Sequence, residues 1–237
     1  MYGYYGYGFF DPTMILVLIG AVLSMWASAK VKSTFEKYSR VRSMTGMTGA
    51  EAARRLLNSQ GIYDVTVESI PGQLTDHYDP RTKTLRLSEP VYGSTSVSAI
   101  GVAAHECGHA IQDHVDYAPL KLRGAFVPVA NLGSQLSWPI ILIGLLIGGM
   151  GSTMVSIGIW MFVLVVLFQL ITLPVELNAS KRAVVLLDQV GILQGEEVGH
   201  TRKVLGAAAL TYVAAAAASI LQLLRLVILF GGRRNRD

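Results

Sequence analysis

Ser98-Ala-Ile-Gly-Val-Ala-Ala-His105-Glu106-Cys107-Gly108-His109-Ala-Ile-Gln112 is an apolar run carrying two histidines four residues apart, with a glutamate directly after the first. Residues four apart on a helix lie one above the other on one face, so His105 and His109 can aim both imidazoles at a single ion. Glu106, beside that pair, can take a proton from a water that zinc has acidified to a pKa of about 7, and later return it to a leaving amine. The spacing therefore implies metal-assisted hydrolysis. The competing reading is two ordinary histidines on a surface or core helix. Gly108 weighs against it, because glycine costs about 1 kcal/mol in a helix relative to alanine and marks close packing or a site.

Composition sets the environment. Of 237 residues, 51% are hydrophobic and only 15% charged, and the mean hydropathy is +0.44. That is too apolar for an ordinary soluble domain and implies an integral membrane protein. Four stretches approach the roughly 20 apolar residues that span a bilayer. They are 13–29; 126–150, interrupted by Asn131, Ser134 and Gln135; 153–173; and the alanine-rich 207–230, which carries Arg225. The uncharged Gly148-Gly-Met-Gly-Ser-Thr153 predicts a tight turn between the second and third.

Lys30, Lys32, Lys37, Arg40 and Arg42 follow the first span. The positive-inside bias places them in the cytoplasm and the charge-free start outside. A signal peptide cleaved at Ala27-Ser28-Ala29 is the alternative, but no Lys or Arg precedes the apolar run. Tyr2, Tyr4, Tyr5, Tyr7, Phe9 and Phe10 read as an interfacial aromatic belt, with a low-complexity tail as the competitor. Residues 30–125 are then cytoplasmic, and a hairpin of the second and third spans returns the chain to that side near Pro174. A two-histidine zinc site needs a third protein ligand and a position for water. The first acidic residue after the hairpin is Glu176, on a segment that reads as a helix with Pro174 in its first turn. A glutamate that merely favours the helix dipole is the alternative there. Asp188, Glu196 and Glu197 lie in what reads as a looser stretch, less preorganised for a metal.

These residues resemble the YugP-like family of neutral zinc metallopeptidases, membrane proteins mainly of bacteria, related in architecture to the HtpX and CAAX-prenyl-protease class. The resemblance runs through the first membrane helix, Leu74-Thr-Asp-His-Tyr-Asp-Pro80, His105-Glu-Cys-Gly-His-Ala-Ile-Gln112, Pro174-Val-Glu-Leu-Asn-Ala-Ser180 and Leu210-Thr-Tyr-Val-Ala214. It implies a gluzincin-like site with His105, His109 and Glu176 on one zinc ion per chain and Glu106 as base. HtpX-type enzymes place an aspartate four residues after the third ligand, where this chain has Ser180. A hydroxyl would hold an imidazole less strongly, so the support of the ligands is expected to be rebuilt around Asn178 and Ser180 or supplied elsewhere.

Ahead of the motif, Thr48-Gly-Ala-Glu51 is a capping box opening a helix over 50–58, and Gly61 suits its end. Residues 65–69 alternate like a strand, and 74–78 and 84–88 flank the turn signature Asp79-Pro-Arg-Thr-Lys83, predicting a hairpin before the catalytic helix. A substrate peptide could add to that edge in extended form, although an ordinary structural hairpin is equally compatible. His77, between Asp76 and Tyr78, reads as part of a polar turn or a substrate contact. His200 and Tyr212 are candidate donors to the oxyanion of a peptide carbonyl under attack. His114 falls off the metal face, and Cys107, the only cysteine, points away from His105 and reads as packed.

The net charge of +4 is dispersed beside membrane spans, where it serves topology and headgroups, and no nucleic-acid-binding motif is present. The central spans of the first three helices hold no ionisable residue, which argues against a metal transporter. A spanning fourth helix would export three C-terminal arginines against the charge bias. The expected protein is a mainly α integral membrane protein with about four transmembrane helices and a small cytoplasmic α+β zincin-like metalloprotease domain. It divides into an N-terminal tail and first helix over 1–29, a cytoplasmic zincin-like region over 30–125, a transmembrane hairpin over 126–173, a third-ligand helix and loop over 174–206, and a C-terminal membrane helix with a basic tail over 207–237. The expected location is the bacterial cell membrane, multi-pass, with the site facing the cytoplasm. The partners are the lipid bilayer, a membrane-associated or unfolded polypeptide substrate and a membrane partner protein. The alternative is a non-catalytic zinc-binding scaffold or adaptor, against which the intact Glu106 speaks.

Overall fold

The computed structural model describes residues 11–149 and 152–231. The element order is α1 (Met14–Ser39), α2 (Gly49–Ser59), β1 (Thr66–Ile70), β2 (His77–Asp79), β3 (Thr84–Ser88), α3 (Glu89–Tyr92), α4 (Val97–His114), α5 (Ala118–Gly148), α6 (Thr153–Gln189) and α7 (Glu196–Phe230). Four helices, α1, α5, α6 and α7, are long and apolar enough to cross a membrane. The chain is therefore mostly helical with a small sheet, as its apolar spans and the strand patterns at 65–69 and 84–88 implied. The expected aromatic belt before Asp11 and the arginine-rich tail after Gly231 lie outside the described residues.

The chain forms two compact units. One comprises the apolar parts of the four long helices, and small residues let its backbones approach closely, the packing mode available where the surroundings are as apolar as the side chains. A Cβ at Gly20 would sit 3.0 Å from Ala218 Cβ, joining α1 to α7, and one at Gly133 would sit 2.7 Å from the Met161 carbonyl oxygen, joining α5 to α6. Asp11, just ahead of α1, accepts a 2.8 Å hydrogen bond from Arg225 near the end of α7. The two side chains are only 12% and 16% exposed.

The second unit is built around α4, of whose eighteen residues fourteen are buried. A helix apolar on nearly every face must be enclosed by others. Leu56 and Leu57 of α2, Leu85 and Leu87 of β3, Leu187 of α6 and Leu205 of α7 belong to its core cluster. Burying each contributes roughly 1.5–3 kcal/mol. The sheet has the order β1-β3-β2, with β1 parallel to β3 and β2 antiparallel to it. The α2 capping box forms, with the Thr48 side chain accepting from Glu51 N–H and the Glu51 carboxylate accepting from Thr48 N–H. The helix ends where Gly61 takes φ +72°.

Three expectations need correction. Leu74 has φ +58° and Gly72 φ +106°, so the strand expected from residue 74 begins only at His77. Pro174 does not open a new helix but lies inside α6, just as Pro128 and Pro139 lie inside α5. All three prolines sit on exposed helix faces. Proline is tolerated inside membrane helices, where other groups can re-satisfy the backbone atoms it frees. Finally, α7 starts at Glu196 rather than near 207, giving 35 residues and a length of roughly 52 Å. Glu196 and Glu197 fill its first turn, where the helix dipole favours negative charge. Glu197 accepts from Met44 N–H at 2.7 Å and Gln194 N–H at 3.3 Å, so the stretch read as loose is tied down.

Candidate metal centre

α4 presents His105 and His109 one turn apart, and the part of α6 that belongs to the same unit presents Glu176 to both. Glu176 Oε2 lies 3.2 Å from His105 Nε2 and 3.5 Å from His109 Nε2, and the three side chains are 3%, 13% and 11% exposed. One ligand atom from each lies within 4.8 Å of the others. Two imidazole nitrogens and a carboxylate oxygen are the donor set zinc takes, so the residues fit that ion.

Each imidazole is held from behind. His105 Nδ1 is 3.1 Å from Ser180 Oγ, and His109 Nδ1 is 3.1 Å from Gln112 Oε1. Gln112, fully buried, donates in turn to the Val175 carbonyl at 2.8 Å and to Asn178 Oδ1 at 3.0 Å. Arg182 also donates to Asn178 Oδ1, at 2.8 Å. Such backing fixes the tautomer, leaving both Nε2 atoms free for an ion. Both acceptors are neutral where an aspartate is the common choice. Burial disfavours charge on His109, yet the hydrogen bond to Glu176 and the charges of Glu106 and Glu176 outweigh it and hold its pKa above the usual range.

Glu106 is 8% exposed and forms no ion pair among the described residues. Tyr212, on the first half of α7, faces Glu176, with Glu106 and Arg123 also in electrostatic reach. Arg123 near the start of α5 donates to Glu176 Oε1 at 2.9 Å. The structure thus brings His105, Glu106, His109, Glu176, Asn178, Ser180 and Tyr212 together. It does not bring in His77, which is exposed on β2 with Nδ1 2.8 Å from the Thr75 carbonyl oxygen. His200 stacks its ring on Tyr38 at 4.7 Å. Cys107 is buried with Sγ 3.6 Å from the Ala53 carbonyl, and burial pushes its thiol pKa up, away from ligand chemistry. Asp113, one turn beyond His109, accepts from Tyr78 and Lys83, both at 2.8 Å, and so ties the hairpin to α4.

Sequence reading missed Arg123 and Gln112. Gln112 is three residues beyond His109, a spacing that shares a helix face, and that was the available signal. Arg123 offers no sequence signal beyond being a charge ahead of an apolar span.

Gly108 sets the distance between the ligand-bearing helices. A Cβ there would lie 2.6 Å from the Ala179 carbonyl oxygen. Gly108→Ala should gain about 1 kcal/mol of helix propensity and lose about 1–3 kcal/mol to overpacking, so overpacking wins. The expected outcome is a lower thermal midpoint in detergent together with weaker zinc binding, because the strain displaces His105 and His109 relative to Glu176. Unchanged zinc affinity in a folded variant would mean that the two helices tolerate the methyl group.

A helix bearing His-Glu-x-x-His, with a glutamate from a later helix completing the group, offers a three-residue donor set for a metal ion in a chain with four membrane-length helices. Residues 13–231 match the model of the family described as "Putative neutral zinc metallopeptidase", and the chain belongs to that family. It is 49% identical over 224 residues to the protein named "Putative membrane protease YugP" of Bacillus subtilis (strain 168), covering 94% of this chain and 99% of that one. No solved structure matches the chain.

Proposed function

We propose that the protein is a multi-pass bacterial membrane zinc endopeptidase that hydrolyses peptide bonds in membrane-associated or unfolded polypeptides on the cytoplasmic side. The observation that carries this is the convergence of His105 Nε2, His109 Nε2 and Glu176 Oε2 beside the buried Glu106, which has no ion-pair partner among the described residues. A purely structural zinc site needs no adjacent base, which weighs against the scaffold reading. Family membership and the name of the Bacillus relative point the same way.

In this reading His105, His109 and Glu176 hold one zinc ion. When bound, zinc supplies Lewis acidity that brings the pKa of a coordinated water to about 7 and polarises the scissile carbonyl. The Glu106 carboxylate accepts a proton from the attacking water and passes it to the leaving nitrogen. In this reading the Tyr212 hydroxyl donates a hydrogen bond to the carbonyl oxygen as charge develops there. Ser180 and Gln112 keep the two imidazoles in one tautomer and orientation. The β2 edge, tied to the end of α4, offers main-chain groups to an extended substrate.

Orientation follows from charge. Lys30 to Arg42 lie between the first span and the hairpin, and the Asp11–Arg225 pair sets the start of α1 beside the end of α7, as an even number of crossings requires. The test is metal removal. A chelator should abolish casein hydrolysis by detergent-purified protein, and about one equivalent of zinc per chain should restore it. Hydrolysis that persists in metal-free protein would reject the reading.

A further inference from the structure

Resting on the metallopeptidase reading, we propose that Arg123 is a positioning residue that makes Glu176 a one-oxygen ligand. The two oxygens of the Glu176 carboxylate have different partners. Oε2 faces His105 Nε2 and His109 Nε2 at 3.2 and 3.5 Å, whereas Oε1 receives the Arg123 guanidinium at 2.9 Å. A carboxylate free to rotate can bind an ion through one oxygen or both. Here rotation breaks a charge-assisted hydrogen bond to a side chain that is 3% exposed on the acceptor side, where such bonds are roughly twice as strong as neutral ones. Arg123 therefore selects the single-oxygen mode.

The same contact sets the charge of the site. Both imidazoles are backed by neutral groups, Ser180 and Gln112, so among the described side chains that hydrogen-bond to the three ligands from outside the donor set Arg123 is the one that carries a full positive charge. Its hydrogen bond to Oε1 withdraws electron density from Glu176, the anionic member of the donor set. Arginine suits this task better than lysine because its charge is permanent and its donors are fixed in a plane. Its guanidinium is 31% exposed, so substitution removes little packing.

The experiment compares wild type with Arg123→Ala, Arg123→Gln and Arg123→Lys. Each is measured for zinc affinity by chelator competition, for the visible absorption spectrum of the cobalt-loaded protein, and for kcat and KM on casein. Arg123→Ala and Arg123→Gln should lose zinc affinity by about 10- to 100-fold, the range for partners that orient a ligand. Their cobalt bands should shift, and kcat should fall more than KM rises. Arg123→Lys, which keeps a charge but not the fork, should recover part of the affinity. Wild-type zinc affinity and an unaltered cobalt spectrum in both uncharged variants would overturn the inference while leaving the peptidase reading intact. A rise in KM alone would overturn it in favour of a substrate contact. A wild-type chain that takes up no zinc would overturn both.

Discussion

Glu106→Gln should retain one zinc per chain and lose about 10³-fold in kcat on casein, within the 10²–10⁴ that general acid–base catalysis contributes. The substitution keeps the shape of the side chain and removes its negative charge and its ability to take up a proton. Glu106 is not one of the three converging donors, so metal content should not change. It forms no ion pair among the described residues and is 8% exposed, so no partner is orphaned and the fold should persist. Zinc stoichiometry by elemental analysis, read beside initial rates, separates the possibilities. A variant that keeps both metal and activity would remove Glu106 from the chemistry, and one that loses metal would make it a ligand.

Glu176→Ala should produce the converse. Taking away a donor that faces both imidazoles ought to weaken zinc binding by more than about 100-fold, the upper range for loss of a group that merely orients a ligand. Activity disappears with the metal. The thermal stabilisation that zinc gives wild type, which follows mass action, should shrink or vanish in the variant. Removing a buried carboxylate leaves Arg123 without its partner, but at 31% exposure the guanidinium can turn to water. Zinc titration followed by thermal shift is the direct measurement. An unchanged midpoint response would show that Glu176 is not the third ligand.

Residues that announce themselves by spacing were readable from sequence. His105, Glu106 and His109 share one helix, and Glu176 followed from counting spans and asking which acid next emerges. Ser180 and Asn178 were within reach once that helix was placed, because they lie four and two residues beyond Glu176. Gln112 and Arg123 were not, for a physical reason. A glutamine at the end of an apolar helix and an arginine ahead of a membrane span have ordinary uses; the spacing of Gln112 from His109 hints at another, and for Arg123 only three-dimensional placement assigns one. Single histidines carry no spacing at all, which is why His200 could be weighed for the site and then be found stacked on Tyr38. Element boundaries failed where a local rule met tertiary packing. Pro174 reads as a helix start, and Glu196 and Glu197 read as loop, until the long apolar rods override both.

The link between Asp11 and Arg225 joins residues 214 positions apart. At a synthesis rate of roughly 5–20 residues per second, the acidic partner waits about 10–40 s for the basic one. The histidines likewise precede Glu176 by 71 and 67 residues, and Glu197, which holds Met44, comes 153 residues after it. A nascent chain that stops short of Glu176 therefore holds both imidazoles without their carboxylate partner, and the donor set closes only after the α5–α6 hairpin has been made.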